Sequence, residues 1–149
     1  MHVIERFYSA FAARNAAAMA ACYADGARFS DPVFTQLDAR QVRAMWAMLL
    51  ERGKDLSITY RVEWADAHTA VCIWHAHYTF STTGRKVHNI VRSEFELKDD
   101  LIVLQKDDFD FWRWSRQALG IKGLLLGWSP VVRNKVRATA AASLARYMA

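Results

Sequence analysis

The chain has 149 residues, of which 53% are apolar and 13% aromatic, and its formal net charge is +5 at pH 7. This length and composition predict one folded domain with a sizeable core and exclude a disordered chain. The basic character belongs to residues 116–149, which hold six Lys or Arg and no Asp or Glu. Nucleic acid or an anionic membrane surface are the partners such a segment attracts, but a solvated helix face is commoner. Because the aromatic-basic interleaving of single-strand binders is missing, we expect no nucleic-acid partner.

The sequence contains no run of about 18 uncharged apolar residues, so we expect no integral membrane segment. The N-terminal HVIERFYSAF has the pattern of an amphipathic helix and not of a cleavable leader, which predicts a cytoplasmic location. Cys22 and Cys72 lack metal-ligand spacing and lie among apolar residues. They are therefore predicted to be buried free thiols and not a disulfide.

Two helices are predicted at the N-terminus. The first has an apolar stripe at the helical spacing i, i+3, i+4, i+7. The stripe consists of Ile4, Phe7, Tyr8 and Phe11. A second short helix, capped by Asn15 and ended by Gly26, is predicted to include Tyr23. An extended segment should follow over residues 27–34, because the residue before Pro32 is disfavoured in a helix.

A third helix and two strands are predicted in the middle of the chain. Asp38 is the expected N-cap of a helix that runs through Leu50. Period-two alternation predicts strands over residues 56–64 and 70–80. A two-residue turn at Thr83-Gly84 would place the aromatic face of the second strand inside, because burying large side chains is favourable. That face carries Cys72, Trp74, Ala76, Tyr78 and Phe80, and the first strand's face carries Leu56, Ile58, Tyr60, Val62 and Trp64.

The opposite face of the second strand carries histidines as well as aliphatic residues. His75 and His77 lie there beside His88 of the following strand, and three imidazoles are a possible metal ligand set. A polar sheet face or a subunit interface accounts for them more simply, so no metal site is predicted. Val71, Ile73 and Ile90 share this outer face and predict a homodimer formed through it.

Residues 87–109 are predicted to form a hairpin whose odd positions point inward. A three-residue loop at residues 98–100 would keep this face consistent on both arms. In that register Ser93 lies opposite Gln105 and Val91 opposite Asp107, with Leu101 and Val103 also inward. Arg92 points outward, diagonal to Asp108.

Four polar residues interrupt the inner face of this hairpin, namely Asn89, Ser93, Gln105 and Asp107. An unpaired buried amide or hydroxyl group costs about 1–3 kcal/mol. We therefore expect the sheet to line a cavity with polar groups in its wall. The alternative is a buried hydrogen-bond network that only fixes the strand register.

The remaining residues are predicted to be helical. Asp110 is the expected cap of a helix that ends at Gly120, in which Trp112 and Trp114 cannot both face the core. An apolar, glycine-broken stretch follows, and Ser129-Pro130 begins a basic helix over residues 130–147. The order of elements predicts an α+β fold, in which a curved antiparallel sheet wraps around about three N-terminal helices and a C-terminal helical tail is added. We expect residues 1–120 to form the domain and residues 121–149 to extend it.

Three segments carry a family resemblance: VIERFYSAF, CYADGARFSDPVF and GRKVHNIVRSEFEL with LIVLQKDDFD. In order and spacing they resemble the nuclear transport factor 2 / ketosteroid isomerase superfamily, in its SnoaL-like branch. The resemblance covers residues 3–111 and implies a cone-shaped α+β roll with a pocket in its open end. It is weak for any one activity, because this fold hosts many chemistries.

The resemblance places Asp31 at the position of the isomerase's proton-shuttling carboxylate. The isomerase's hydrogen-bonding tyrosine corresponds to Phe7, with Tyr8 adjacent, and its protonated aspartate corresponds to Ser93. Since each missing oxyanion donor costs about 3–4 kcal/mol, steroid isomerase activity is not expected. The related epoxide hydrolases use an Asp-Arg-Asp arrangement, which an outward Arg92 does not supply.

Asp107 is inward and is not explained by the isomerase pattern. With Asp31 it would place two carboxylates around one cavity, and their repulsion would raise one pKa to give an acid and a base. The alternatives are structural: Asp31 before proline accepts local backbone hydrogen bonds, and Asp107 caps backbone donors near the next helix. The side chains expected to bind a ligand are Tyr8, Tyr23, Trp74, Tyr78, Asn89, Ser93, Gln105 and Phe109.

The sequence thus predicts a pocket protein for a small hydrophobic molecule. It would act without a cofactor as an acid/base isomerase, cyclase or hydratase on a hydrophobic carbonyl or hydroxyl compound. The alternative is a non-catalytic ligand-binding protein or a dimeric interaction module. The two hypotheses differ in whether Asp31 and Asp107 share one cavity.

Overall fold

The computed structural model describes residues 1–149 and contains six helices and one six-stranded sheet. The elements are α1 (Val3–Ala12), α2 (Ala16–Ala20), β1 (Tyr23–Ser30), β2 (Leu37–Asp38), α3 (Ala39–Arg52), β3 (Ser57–Ala65), β4 (Thr69–Phe80), β5 (Arg85–Lys98), β6 (Leu101–Asp108), α4 (Phe111–Leu119), α5 (Ile121–Leu126) and α6 (Pro130–Met148). The strand order is β2-β1-β6-β5-β4-β3. The α+β fold is confirmed, but the sheet is mixed and not purely antiparallel, because β1 pairs in parallel with β6.

The N-terminal helices follow local signals except at one end. The apolar stripe of α1 is fully buried, and the side chain of Asn15 caps α2 by accepting the Ala18 N–H at 3.0 Å. Gly26 was expected to end this helix, but it does not. The helix stops at Ala20, and Tyr23 already belongs to β1, which pairs with Ile102 of β6. Strand pairing, a long-range interaction, therefore overrides the local helix-end signal.

The third helix begins as predicted. The carboxylate of Asp38 accepts the N–H of Gln41 at 2.8 Å, while the Gln41 side chain accepts the N–H of Asp38 at 2.9 Å. This reciprocal capping box satisfies two backbone donors that the first turn would otherwise leave unpaired. In β3, which follows the helix, a bulge between Val62 and Trp64 turns Trp64 outward, so this side chain is 58% exposed and does not share the inner face.

The inner face of β4 is the predicted aromatic face. Trp74 pairs with Val91 and Cys72 with Ser93, and all four side chains are buried. The connection is a four-residue loop, residues 81–84, and not the predicted two-residue turn. The observed loop is two residues longer than the predicted turn, and a shift of two residues leaves each side chain on the same face of the sheet. The inward face of β4 is therefore as predicted, although its residues pair with different residues of β5.

The hairpin of β5 and β6 has a different register from the predicted one. Its turn consists of Asp99 and Asp100 alone, which have φ angles of 52° and 59°. Such left-handed residues form a tight two-residue turn. Ser93 lies opposite Asp107, and not opposite Gln105.

A β-bulge in β6 restores the faces of this hairpin. Leu97 pairs with Ile102 and Glu96 with Leu104, so Val103 is an extra residue. One extra residue in a strand changes whether its odd or its even positions point inward. Ile102 is therefore buried near the turn, where Leu101 and Val103 were expected, whereas Gln105 and Asp107 beyond the bulge point inward as predicted. Arg92 points outward and lies directly opposite Asp108.

The core lies between the helices and the inner face of the sheet. The ring of Phe7 packs edge-on against the rings of Tyr8, Tyr23 and Trp46 with centroids 5.1–6.0 Å apart. The C-terminal helix α6 packs against this core and buries Leu144 in it. Both cysteines are buried free thiols, as predicted.

The two tryptophans of α4 have opposite environments. Trp114 is buried and donates its Nε1–H to the hydroxyl of Tyr78 at 2.7 Å, whereas Trp112 is exposed. No helix in the structure is both long enough and apolar enough to cross a lipid bilayer.

Candidate functional site

Asp107 lies on β6 with its side chain directed into the protein, and it is only 4% exposed. Its Oδ1 accepts the Nε2–H of Gln105 at 3.0 Å, and Ser93 faces it from β5. Burial raises the pKa of Asp107 to about 7, and hydrogen bonds from Ser93 and Gln105 offset part of this rise. A carboxyl group with this pKa is present in both protonation states near neutral pH.

Asp31 lies between β1 and β2 and is partly buried. Its Oδ1 accepts the backbone N–H groups of Val33 at 2.7 Å and Phe34 at 2.6 Å, which is the local turn expected for an aspartate before proline. Burial raises the pKa of Asp31 to about 6, although these bonds and the charge of Arg137 lower it. The structural role and a perturbed carboxylate therefore coexist at this residue.

The two carboxylates interact electrostatically. The charge of Asp31 contributes to the raised pKa of Asp107. Asp31 also adds to the pKa of Tyr78, which burial raises to about 12. Charges interact appreciably through a protein interior when little water separates them. The charge of Asp31 thus reaches Asp107, which is 76 positions later in the chain, but the two carboxylates do not line one cavity.

Asp107 is connected to a buried hydrogen-bond network. Trp46 Nε1–H donates to the Tyr23 hydroxyl at 2.8 Å, and this hydroxyl donates to Gln105 Oε1 at 2.5 Å. Gln105 in turn donates to Asp107. The role of Trp46 in this network was not predicted from the sequence.

A second buried bond fixes Ser93 on the other side of Asp107. Trp74 Nε1–H donates to Ser93 Oγ at 2.8 Å. Ser93 and Gln105 are fully buried and hydrogen-bonded. These bonds correspond to the alternative interpretation of the sequence, a buried hydrogen-bond network that fixes the strand register.

Tyr8 is the exception in this network. Its hydroxyl group is buried and has no hydrogen-bond partner, although Ser93 lies beside it. Burial raises the pKa of Tyr8 well above its usual value, and the charge of Asp107 adds to this rise. An unpartnered buried hydroxyl is rare, because it costs about 1–3 kcal/mol. Tyr8 therefore presents an unused O–H donor next to Asp107.

The remaining predicted ligand contacts lie towards α4. Tyr78 and Phe109 are partly buried and pack against the cluster formed by Phe111 and Trp114. Asn89 is partly buried opposite Ala76. The role of these three residues in ligand binding stays a prediction.

A half-open cavity lies away from the position expected from the sequence. Its volume is about 390 Å³, and it lies between α6 and the segment connecting β1 and β2. Its apolar wall includes Val33, Phe34, Leu144 and Met148, and Arg137 supplies a charge. No side chain of the predicted site lines it. It is nevertheless adjacent to Asp31, because Val33 and Phe34 are the residues whose N–H groups bind that carboxylate.

The interior beside Asp107 is occupied by aromatic rings. Tyr8 stacks on Tyr60 at a centroid distance of 5.3 Å and lies against Trp74 at 6.3 Å. These contacts explain the displaced cavity, because large rings fill the space that the polar pattern was expected to leave open.

The three histidines of the outer face contact one another. His75 Nδ1 and His88 Nε2 are 2.8 Å apart, and the rings of His77 and His88 stack at 4.2 Å. Burial lowers the pKa of His88, and the neighbouring histidines lower it further. No cluster of three His, Cys, Asp or Glu residues has a geometry that could hold a metal ion.

Residues 4–105 match the family described as the SnoaL-like domain. The chain belongs to this family. The predicted resemblance is thereby confirmed, and the matched region ends before α4, so the C-terminal helices lie outside it. No curated protein sequence matches the chain.

Solved structures with the same fold are numerous. An LEH-like epoxide hydrolase from M. tuberculosis is 20% identical with a TM-score of 0.60, and the match covers 87% of this chain and 92% of that one. IdmH from Streptomyces antibioticus, a proposed polyketide cyclase, is 18% identical with a TM-score of 0.65 over 80% and 96% of the two chains. A proposed isomerase from Rhodopseudomonas palustris is 16% identical with a TM-score of 0.65 over 80% and 98%. Identities this low establish the shared fold and do not transfer an activity.

Proposed function

We propose that this SnoaL-like protein is a cofactor-free acid/base catalyst that acts on an apolar compound with a carbonyl or hydroxyl group. The observation that carries the proposal is the pair of buried carboxyl groups, whose pKa values rise to about 6 for Asp31 and about 7 for Asp107. Titratable groups with such perturbed values are characteristic of catalytic sites. The pair gives one base and one acid at neutral pH.

Asp31 is the proposed base. With a pKa of about 6 it is mostly ionised at neutral pH, yet it is a stronger base than an exposed carboxylate. It adjoins the cavity through Val33 and Phe34, and the apolar wall of that cavity suits a hydrophobic ligand. Arg137 lies in the same wall and can orient a ligand oxygen towards this end of the site.

Asp107 and Tyr8 are the proposed donors. A protonated Asp107 and the unpartnered Tyr8 hydroxyl both present a buried O–H group, and a ligand must displace the aromatic rings beside them to reach it. Such donors stabilise the negative charge that develops on a carbonyl oxygen when a neighbouring proton is removed. The hydrogen bonds through Gln105 hold Asp107 in place for this role.

The test uses 2-tetralone, an apolar ketone with exchangeable protons beside its carbonyl group. NMR measures the rate at which these protons exchange with D₂O, and tryptophan fluorescence measures binding. A general base contributes about 10²–10⁴-fold, so Asp31→Asn should lower the enzymatic exchange rate at least about 100-fold. Tyr8→Phe should lower it by a similar factor, because one oxyanion donor is worth about 10²–10³-fold.

The matched control is Asp25→Asn, which alters an exposed carboxylate on β1 and should leave exchange unchanged. Binding without accelerated exchange in the wild-type protein would favour the alternative, a non-catalytic ligand-binding protein. Absence of both binding and exchange counts against an apolar ketone as the ligand class.

We further propose that the protein is a cytoplasmic homodimer formed through the outer face of the sheet. Ile73 and Ile90 lie there with the three histidines, and Ile90 is exposed in the single chain. Burying such aliphatic groups against a second copy is favourable. Ile73→Glu should convert the dimer to a monomer in sedimentation velocity, whereas Val131→Glu, at an exposed position of α6 outside the sheet, should not. A monomeric wild-type protein contradicts the proposal.

A further inference from the structure

The C-terminal helices expose an unusual set of large apolar side chains, which we call the tail patch. Ile121 is 75% exposed, Leu125 61%, Trp128 68% and Val131 76%. Trp112 adjoins them, because its Nε1–H donates to the carbonyl oxygen of Leu124 at 3.3 Å. Contiguous exposed apolar surface of this kind marks an interaction site. The tail patch consists of Trp112, Ile121, Leu124, Leu125, Leu126, Trp128 and Val131.

The way α5 is seated explains why these side chains face outward. Gly123 and Gly127 form the side of the helix that packs on Ser115 of α4. A Cβ atom at Gly123 would lie 1.8 Å from the carbonyl oxygen of Ser115, and one at Gly127 would lie 2.6 Å from its Cβ. The two glycines thus allow the backbones to touch, as in small-xxx-small helix pairs. The helix buries its glycines and presents its leucines on the surface.

The chain segment that carries the tail patch has only positive charges. After Asp110 the chain contains seven Lys or Arg and no Asp or Glu. None of the seven takes part in any of the ion pairs of the structure. The guanidinium group of Arg116 lies 4.0 Å from the ring centroid of Trp112, and that of Arg133 lies 5.2 Å from that of Phe111. The seven residues are Arg113, Arg116, Lys122, Arg133, Lys135, Arg137 and Arg146.

We propose that the tail patch docks onto the surface of a bilayer that contains anionic lipid, with Trp112, Trp128 and the leucines in the interfacial region. Basic side chains around an apolar, tryptophan-containing surface are the features that bind anionic interfaces. The indole N–H groups already have partners, because Trp128 Nε1–H donates to the carbonyl oxygen of Leu125 at 2.8 Å, as Trp112 does to that of Leu124. These rings therefore enter an apolar medium without losing a hydrogen bond to water.

Charge decides between a membrane and a second copy of the chain. Two tail patches packed together would bring two sets of unpaired cations into contact, and like charges at an interface are unfavourable. Anionic lipid headgroups instead neutralise them. The proposal does not depend on the proposed chemistry, because none of the tail patch residues lines the cavity or belongs to the acidic pair.

The test is co-sedimentation of the full chain with vesicles. Phosphatidylcholine vesicles with and without about 30% phosphatidylglycerol are compared, because basic residues near the surface favour the anionic lipid. We expect at least about tenfold stronger binding to the anionic vesicles, and weaker binding when salt is raised. Bound protein should also show a blue shift of tryptophan emission.

Trp128→Ala and Leu125→Glu should each reduce binding at least about fivefold, since they remove apolar surface from the interface. The matched control is Trp64→Ala, which removes another exposed tryptophan outside the tail patch and should bind as the wild-type protein does. Because the two substituted tail residues are exposed, thermal unfolding should be unchanged.

Three results would overturn the proposal. Equal binding of Trp128→Ala, Leu125→Glu and the wild-type protein assigns any vesicle binding to another surface. Concentration-dependent self-association that Leu125→Glu abolishes, without vesicle binding, assigns the tail patch to a second copy. Binding of an RNA oligonucleotide in place of vesicles assigns it to nucleic acid.

Discussion

Replacing Asp107 by Asn should make the protein more stable above neutral pH. Asp107 is fully enclosed, and its pKa is about 7 in the folded chain against an ordinary value of 3.8. Because the folded pKa is raised, the folded state holds this proton more tightly than the unfolded state does. The stabilising contribution is complete below about pH 4 and is lost as the pH rises through about 7.

The magnitude follows from the size of the shift. One pKa unit corresponds to about 1.4 kcal/mol, so a rise of about three units makes ionised Asp107 cost about 4 kcal/mol of folding free energy. Structural relaxation reduces the penalty of a buried charge, so we expect Asp107→Asn to exceed the wild-type free energy of unfolding by about 2–4 kcal/mol near pH 8. Near pH 5 the folded state keeps the proton while the unfolded state has mostly lost it, so about 40% of the penalty is present and the difference should fall to about 1–1.5 kcal/mol.

The assay is urea denaturation followed by the fluorescence of the six tryptophans, at several pH values from about 5 to 8. Asp31 contributes its own pH dependence in both proteins, so the difference between them isolates Asp107. Asp108→Asn is the matched control, because this neighbouring carboxylate is exposed on the outer face. A stability difference between Asp107→Asn and the wild-type protein that is the same at both ends of the range would refute the reasoning.

Three further changes test the core and the tail by the same assay. Tyr8→Phe should raise the free energy of unfolding by about 1–3 kcal/mol, because it removes a buried hydroxyl without a partner. Trp74→Phe should lower it by about 2–4 kcal/mol, because it leaves a gap in the core and a buried serine hydroxyl without its donor. Gly123→Ala should lower the free energy of unfolding by more than about 1 kcal/mol, since a Cβ there would clash with Ser115. Gly26→Ala is the control and should be tolerated, because a Cβ at Gly26 meets nothing within 4 Å. Equal effects of the two substitutions would contradict the packing of α5 on Ser115.

The sequence was informative wherever a single element decides the outcome. The N-cap at Asp38 and the buried stripe of α1 need only neighbouring residues, and both occur as predicted. The prediction that the aromatic face of β4 points inward was also correct, because the free energy gained by burying Trp74 exceeds any local preference for the opposite orientation of the strand. An error of two residues in the loop length did not alter that face.

Predictions failed where distant parts of the chain meet. The register of the last hairpin depends on the bulge at Val103, which has no strong local signal. Gly26 resembled a helix end, yet the pairing of β1 with β6 determines the structure there. The position of the cavity depends on α6 packing beside Val33 and Phe34, more than 100 residues earlier in the sequence. Alternation within a strand predicts which side chains point inward, but it does not predict what fills the space they face.

Asp107 and Tyr8 together provide the strongest argument that this interior does more than hold the fold together. Ser93, Gln105 and Tyr23 form hydrogen bonds that stabilise a packed core, and they need no further explanation. A buried carboxyl group that loses stability on ionisation, beside a hydroxyl group without a partner, weakens the same core twice. If Asp107→Asn and Tyr8→Phe both raise stability near pH 8 and both lower the exchange rate of 2-tetralone, the two groups act in catalysis although they destabilise the folded protein. If they raise stability and leave exchange unchanged, the acid/base proposal is wrong and the pair is only a destabilised part of the core.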